Sequence, residues 1–437
     1  MDKDKAIGHD QVSPIILKEC KDAFILPLLL IFRLSFETGI VPKEWKLANV
    51  TALFKKGSRL HASNYRPVSL TSIVCKLFEG LLAGVMNAHL RLNNLIVPGQ
   101  HGFTASKACV TNLLESQDIV TTALHQKCKV DVLYTDFMKA FDKVHHRKLL
   151  HKLKSYDFGS QTVNWIESFL VGRKQRVVMG DYSSEWCFVD SGVPQGSVLG
   201  PLLFIIYIND ISDGLQNVLA DDGKLFAVSN DERDDDENKL EADIYHIAEW
   251  CSVWSMELSP PKCKVMSIGR HGQIPIYFVE GSSGRVQLGT SELERDLGVM
   301  VSSDCRWRNQ VNAAASKANR VLGMMRNTFR FWTDDIARMI YPTFIRPHLE
   351  FASSVWNPSS KILENVQHRA TRTVESRHLA YEARLGRLNL STLRDRRERG
   401  DFIQCYKIVH GLDKIRWVEL NKILHHVGQS TARRHAF

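Results

Sequence analysis

The octapeptide LADDGKLF, residues 219–226, sets two carboxylates side by side between apolar residues. Adjacent ions are too costly to bury unpaired, so the flanking segments must bring Asp221 and Asp222 to an exposed or cation-bearing end. Asp-Asp-Gly between apolar runs is also a hairpin signal, because Asp and Gly tolerate the positive φ of tight primed turns. Alone, the octapeptide reads as a plain turn. The same turn presents two carboxylates at one tip, as a metal site requires, and the rest of the chain has to decide between the two.

At 437 residues there is room for about three units of typical domain size, and the 44% hydrophobic and 24% charged content is that of an ordinary globular chain. The longest apolar runs, AFILPLLLIF (23–32) and PLLFIIYI (201–208), fall far short of the roughly 20 residues that span a bilayer, and Pro27 interrupts the first. No transmembrane helix and no membrane partner are expected. The polar start MDKDKAIGHD has no apolar signal core, which predicts a cytoplasmic or nuclear protein that is not secreted. Nine scattered cysteines, with no CxxC pair and no Cys/His cluster at zinc spacing, suit a reducing compartment and buried free thiols. The net charge of +9 is uneven: residues 301–437 hold 24 Lys/Arg against 12 Asp/Glu, and residues 1–300 hold 33 against 36. A basic tail beside a near-neutral body is the electrostatic footprint of nucleic-acid binding, or simply a set of solvated helix faces.

Local patterns divide the chain into elements. Ser13-Pro14 has the form of a helix start leading into IILKECKDAF, and Gly39 with Pro42 marks a stop. LANVTALF (47–54) is β-like, and VDVLYTDF (130–137) reads as a buried strand. IVCKLFEGLLAGVMNAHL (73–90) carries helical periodicity, and QRVVMGDYSSEWCFV (175–189) reads as a hairpin turning near Gly180-Asp181. Leu240, Ile244, Ile247, Cys251 and Trp254 mark one apolar helix face, and the acidic run DERDDDE (231–237) before it reads as a solvated loop. Past residue 300, VNAAASKANRVLGMMRN (311–327), KILENVQHRATR (361–372) and LSTLRDRRERGDFIQCYKIVHG (390–411) read as basic amphipathic helices, so this region is expected to be all-α. Mixed elements followed by helices predict an α+β body with a helical appendage.

Metal-dependent phosphoryl transfer uses carboxylates on rigid elements that hold two divalent ions about 3.5–4 Å apart. Asp136, closing the predicted strand VLYTD, offers a third acid, although by itself it reads as a strand-end acid facing water. Between the acids lies SGVPQGSVLGPLLFIIYIND (191–210), in which Gly-Val-Pro-Gln-Gly makes a tight loop and Ser197 is placed to cap an apolar helix.

TDFMKAFDKV, SGVPQGSVLGPLLFIIYIND, ADDGKLF, PPKCKVM and DLGVMVSSDCRW follow one another in a specific order and spacing. GIVPKEWKLANVTALFKKGS, NYRPVSLTSIVCKLFE and QHGF precede them; RPHLEFA, ENVQHRATR, YEARLGRLNL and RRERGDFIQCYKIVHG lie downstream. Over nearly its whole length the chain resembles the reverse transcriptases of non-LTR retrotransposons, the jockey-like group in particular. Each motif is weak to moderate, whereas nine or more in register are highly specific.

The resemblance implies an α+β right-hand polymerase of fingers, palm and thumb, followed by an all-α basic carboxy-terminal extension. Its divisions would be a helical segment at 1–36, fingers and palm at 37–300, and thumb with extension at 301–437. The implied activity is RNA-directed DNA polymerisation with two Mg²⁺ ions, on an RNA template, a DNA primer, their RNA–DNA hybrid and deoxynucleoside triphosphates. Asp136, Asp221 and Asp222 would be the catalytic, metal-binding carboxylates. Phe141 would be the aromatic gate against a ribose 2′-hydroxyl, and Lys55 and Arg66 the fingers residues that grip the triphosphate, Arg through its forked donors. Gln195 would lie beside nucleotide and template, and Lys262 would help protonate pyrophosphate. The basic helices would grip phosphates without reading sequence, with strong salt dependence.

Several positions depart from the family pattern. Leu219 stands where Phe or Tyr is usual, the stretch from Ile211 to Leu219 is short, and Thr104, Ala105, Ser106 and Lys107 follow QHGF where Arg and further basic residues are usual. Pro342 falls where a thumb helix should continue, and an interior proline costs about 3 kcal/mol. The segment after Trp356 is shortened, and DKAIGHDQV stands where the family has a Gly-Pro-Asp-Gly-like stretch. With no upstream endonuclease, the expectation is a truncated copy that cannot nick its own target. Two other readings compete: an inactive remnant that only binds RNA or DNA, and, more weakly, a metal nuclease, for which no histidine or further acid cluster is evident.

Overall fold

A computed structural model describes residues 6–220, 223–229, 235–269, 275–281, 284–329, 331–357, 360–372 and 375–417. At the amino end α1 (Pro14–Glu19) begins on a proline, whose fixed φ suits a first turn, and α2 (Lys21–Thr38) stops at Gly39 in the left-handed conformation. Strands β1 (Leu47–Phe54) and β2 (Tyr65–Thr71) pair antiparallel, from Ala48 facing Thr71 to Phe54 facing Tyr65. Helices α3 (Ile73–Leu92) and α4 (Cys109–His125) lead to β3 (Lys129–Tyr134), which buries Val130, Val132 and Leu133.

After α5 (His146–Ser155) and α6 (Ser160–Leu170), β4 (Arg173–Met179) lies parallel to β1 and antiparallel to both β5 (Tyr182–Ser183) and β6 (Cys187–Val189). The turn between β4 and β5 falls at Gly180-Asp181, where the sequence signal put it. The apolar α7 (Leu199–Ile208) precedes β7 (Val218–Ala220) and β8 (Lys224–Ser229), antiparallel with Ala220 facing Lys224. Helix α8 (Asp235–Trp254) buries Leu240, Ile244, Ile247 and Cys251. Of the acidic run expected as a loop, 231–234 lie outside the described residues, whereas the backbone of 235–237 opens α8.

Strand β9 (Lys264–Ile268) completes the second sheet. Hairpin β10 (Phe278–Gly281) and β11 (Gly284–Gln287), the short β12 (Gly289–Thr290), and hairpin β13 (Leu293–Asp296) and β14 (Val299–Ser302) follow. That sheet has the order β12-β9-β3-β8-β7, so β3 is central and antiparallel to β8 and β9. From Arg308 the named elements are helical: α9 (Arg308–Thr328), α10 (Asp334–Ile340), α11 (Arg346–Glu350), α12 (Ser353–Trp356), α13 (Lys361–Thr371), α14 (Tyr381–Arg387) and α15 (Leu393–Val409). Pro342 does not break the path between α10 and α11. The chain runs there as a π-helical segment, Tyr341–Ile345, a local change of pitch that takes up the proline without interrupting the helical path.

The larger core packs α3, α5, α6, α7 and α8 against β3, β8 and β9, with Trp165, Phe169, Leu203, Tyr207 and Leu225 at its centre. A second core gathers α9 to α15 and reaches back to Leu113 of α4 and Val299 of β14. The expected division at 300/301 thus falls inside β14. Among the described residues α3 alone is long and apolar enough to cross a membrane, although polar residues interrupt its apolar runs. It packs Phe78, Leu82, Met86 and Leu90 into the core and carries a buried glutamate, Glu79. Of the nine free thiols, Cys75, Cys128, Cys251 and Cys263 are buried as expected, whereas Cys20, Cys109, Cys187 and Cys405 are exposed.

Candidate active site

Strand β3 ends at Tyr134, opposite Lys224 of β8 and Lys264 of β9. Thr135 then donates from its N–H (3.0 Å) and from Oγ1 (2.7 Å) to the Gly223 carbonyl. Asp136 therefore leaves the sheet beside the point where the chain enters β8. Gly223 has to be glycine: φ is 71°, and a Cβ would stand 2.0 Å from Thr135 Oγ1. The Asp136 carbonyl accepts from Ser259 N–H (2.7 Å), and its Oδ2 pairs with Lys262 Nζ at 2.8 Å, both side chains being about half exposed. Asp221 and Asp222 lie outside the described residues. The strand before them, β7, has three residues against six in β8, in keeping with the short Ile211–Leu219 stretch. Among the described residues no group of three or more His, Cys, Asp or Glu could hold a metal; two of the three predicted ligands fall outside them.

Phe141 sits in a 3₁₀ turn, Ala140–Lys143, and stacks on Phe204 of α7 with ring centroids 4.7 Å apart and an 18° tilt. The loop Ser191–Gly196 is fastened to this turn. Val193 N–H donates to the Phe141 carbonyl (2.8 Å), Gly192 N–H to the Val144 carbonyl (2.8 Å), and Ser191 Oγ to the Asp142 carbonyl (2.9 Å). His146 Nε2 lies 2.8 Å from the Gly192 carbonyl; burial holds its pKa below the ordinary histidine value, so at neutral pH the neutral ring donates there. A Cβ on Gly192 would meet the Phe141 carbonyl at 2.7 Å. On the loop's other side, Ser69 N–H of β2 donates to the Gln195 carbonyl (2.7 Å), and a Cβ on Gly196 would stand 2.4 Å from the Ser69 carbonyl. The loop is thus clasped between β2 and the Phe141 turn.

Past the loop, Ser197 Oγ accepts from Gly200 N–H (2.9 Å), the cap read from the sequence. The two amides before it go to a residue that the sequence reading missed. Glu79 Oε2, fully buried on α3, accepts from Val198 N–H (2.7 Å) and Leu199 N–H (3.0 Å). Burial pushes its carboxyl up, while those two amides and the buried Arg173 pull it down, with a net rise. The cue was present: Cys75, Phe78, Glu79, Leu82 and Met86 share the inward face of one helix, and an acid on such a face must have partners.

Lys55 and Arg66 lie at the β1–β2 hairpin, with exposed side chains; Lys55 N–H closes onto the Asn64 carbonyl and Arg66 faces Leu53. Gln195, Ser69, Pro67 and Arg173 line a cleft of about 310 Å³ under this hairpin. Asp136 and Lys262 are in direct contact, and Phe141 and Gln195 belong to one fastened unit. Lys55 and Arg66 lie on the hairpin whose second strand, β2, fastens that unit through Ser69.

The reverse transcriptase (RNA-dependent DNA polymerase) family profile matches residues 54–325, a span that contains every one of these positions. The chain belongs to the reverse transcriptase family. The probable RNA-directed DNA polymerase from transposon X-element of Drosophila melanogaster is 29% identical over 287 residues, 63% of this chain and 31% of that protein. The RNA-directed DNA polymerase from mobile element jockey of Drosophila funebris is 29% identical over 272 residues, 59% of this chain and 29% of that protein. The chain spans about three-tenths of the length of the curated relatives it matches. A structure of apo telomerase from Candida tropicalis, truncated from its C-terminal domain, is a looser likeness that carries no argument: TM-score 0.41 and 12% identity over 60% of this chain and 55% of that one.

Proposed function

We propose that the chain is an RNA-directed DNA polymerase of a non-LTR retrotransposon, adding deoxynucleotides to a DNA primer 3′-hydroxyl on an RNA template. The observation that carries this reading is the family match over 54–325, a span that contains the end of the central strand, the Gly223 turn and the clasped Ser191–Gly196 loop. Asp136 is a half-exposed hard oxygen donor of the kind Mg²⁺ takes, and Asp221 and Asp222 are the further carboxylates of the set. Two bound Mg²⁺ ions would activate the primer hydroxyl and neutralise the leaving pyrophosphate. Phe141, braced by Phe204, excludes a ribose 2′-hydroxyl; Gln195 faces the nucleotide and template; exposed Lys55 and Arg66 take the triphosphate; and Lys262, already at the Asp136 carboxylate, delivers a proton to pyrophosphate. The carboxy-terminal basic helices hold template and hybrid phosphates.

Primer extension on an RNA template, with Asp136→Ala and Asp222→Ala as controls, tests the proposal. Synthesis by the parent that both variants lose is the expected outcome. Salt-sensitive RNA binding by a parent that synthesises nothing would select the inactive remnant instead.

A further inference from the structure

Two residues past the carboxylate pair, β8 opens with a lysine that has almost no access to water. Lys224 is 1% exposed, and its Nζ donates to both carboxylate oxygens of Asp296 (3.1 and 2.9 Å), to Ser116 Oγ (3.1 Å) and to Asn112 Oδ1. An ammonium has three N–H donors, so these acceptors use all of them. They come from two other elements, α4 and β13.

Stability alone does not account for a charge in this place. Buried ion pairs are commonly replaced by apolar residues of similar volume with no loss of stability. Such a pair does impose a fixed geometry, because each partner is too costly to leave unpaired. The backbone of Lys224 is locked in the sheet, facing both Ala220 and Tyr134. Asp296 is the last β13 residue before the Leu297-Gly298 reversal, and both residues of that reversal have positive φ. Val299, at the start of the return strand, and Leu113, next to Asn112, are both rooted in the second core. From Lys224 through Asp296 and Asn112 to Val299 and Leu113, a chain of buried residues therefore leads from the start of β8 to the carboxy-terminal helices.

We infer that Lys224 is a positioning residue: its ion pair with Asp296 holds the carboxylate turn in register with the 293–302 hairpin and, through it, with the carboxy-terminal helical unit. The inference rests on the polymerase reading, and Lys224 acts without touching the reacting atoms.

The test is the double variant Lys224→Met/Asp296→Leu, which refills the site with apolar volume, beside the parent and Asn112→Ser, which weakens the cluster without stranding a charge. Three quantities are read on each protein: melting temperature, Mn²⁺ affinity by paramagnetic resonance without nucleotide, and the split between kcat and KM in primer extension. For the double variant we expect a melting temperature near the parent's and a nucleotide KM within threefold. Mn²⁺ affinity and kcat should each fall by on the order of 10- to 100-fold, as when other residues that orient metal ligands are removed. Asn112→Ser should move the same two quantities in the same direction by less. A double variant, or Asn112→Ser where the double variant does not fold, that matches the parent in Mn²⁺ affinity and kcat overturns the inference. A parent that binds Mn²⁺ but extends no primer defeats the polymerase reading alone, since the Mn²⁺ comparison still stands.

Discussion

Two lysine–aspartate pairs lie close to Gly223, one beyond Thr135 and one at Lys224, and they share little beyond their chemistry. Lys262 and Asp136 meet at 2.8 Å with side chains 57% and 46% exposed; Lys224 and Asp296 meet at 2.9 Å with side chains 2% and 6% exposed. At equal separation the first pair sits in water, screened by salt within about 8–10 Å, and is open to exchange with an incoming cation or phosphate. The second has no solvent to exchange with, and each of its ions depends on the other. Distance alone does not tell what an ion pair is for. The exposed pair leaves the Asp136 carboxylate within reach of solvent; the buried pair ties the start of β8 to the end of β13.

Four substitutions test how far this contrast goes. Asp136→Ala has the largest expected consequence, a loss of primer extension on the order of 10³-fold or more, since a metal-bearing carboxylate is worth several kcal/mol in the transition state. Its melting temperature should stay close to the parent's, because the pair it breaks is exposed. Asp296→Ala should cost about 3–5 kcal/mol of stability in urea unfolding, against under about 1 kcal/mol for Lys262→Ala; equal costs would break the comparison. Gly223→Ala forces a side chain into the left-handed region and against Thr135, and at least about 1–2 kcal/mol of lost stability is expected.

The smallest expected effect is a matter of pH. The Glu79 carboxyl titrates above the ordinary 4.5 in the folded protein, so the fold binds its proton more tightly than the unfolded chain does. Its contribution is fully present below 4.5 and is lost as pH rises through the raised folded value. Glu79→Gln, with no proton to lose, should therefore gain stability relative to the parent as pH rises across that window. Urea midpoints at pH 4 and pH 7 check the sign.

Much of the fold was legible wherever neighbours in sequence determine it. The β1 span, the periodic face of α8, the Gly39 stop and the Ser197 cap all follow from residues within a few positions of one another. The pairings that build the site are of another kind. Glu79 reaches amides 119 and 120 residues away, and Lys224 meets Asp296 across 72. No local pattern reports such partners; only the oddity of a charge on an apolar face or in a buried strand hints that they exist. Lys262 shows the same limit: its motif matches a lysine that helps protonate pyrophosphate, and nothing in its local sequence reports the 2.8 Å contact of its ammonium with Asp136. Pro342 shows a local rule giving way to context, with the interruption expected from its ring taken up by a change of helical pitch.

The central place of β3 has a consequence for the protein while it is being made. Its partners on both sides, β8 and β9, are encoded far downstream, so the strand leaves the ribosome with two open edges and an apolar face. At about 5–20 residues per second, synthesis of residues 135–223, before β8 begins, takes roughly 4 to 18 s. For that interval the nascent chain depends on chaperones or on slow collapse of its own helices to shield Val130, Val132 and Leu133, and neighbouring ribosomes on one message would bring such strands within reach of one another.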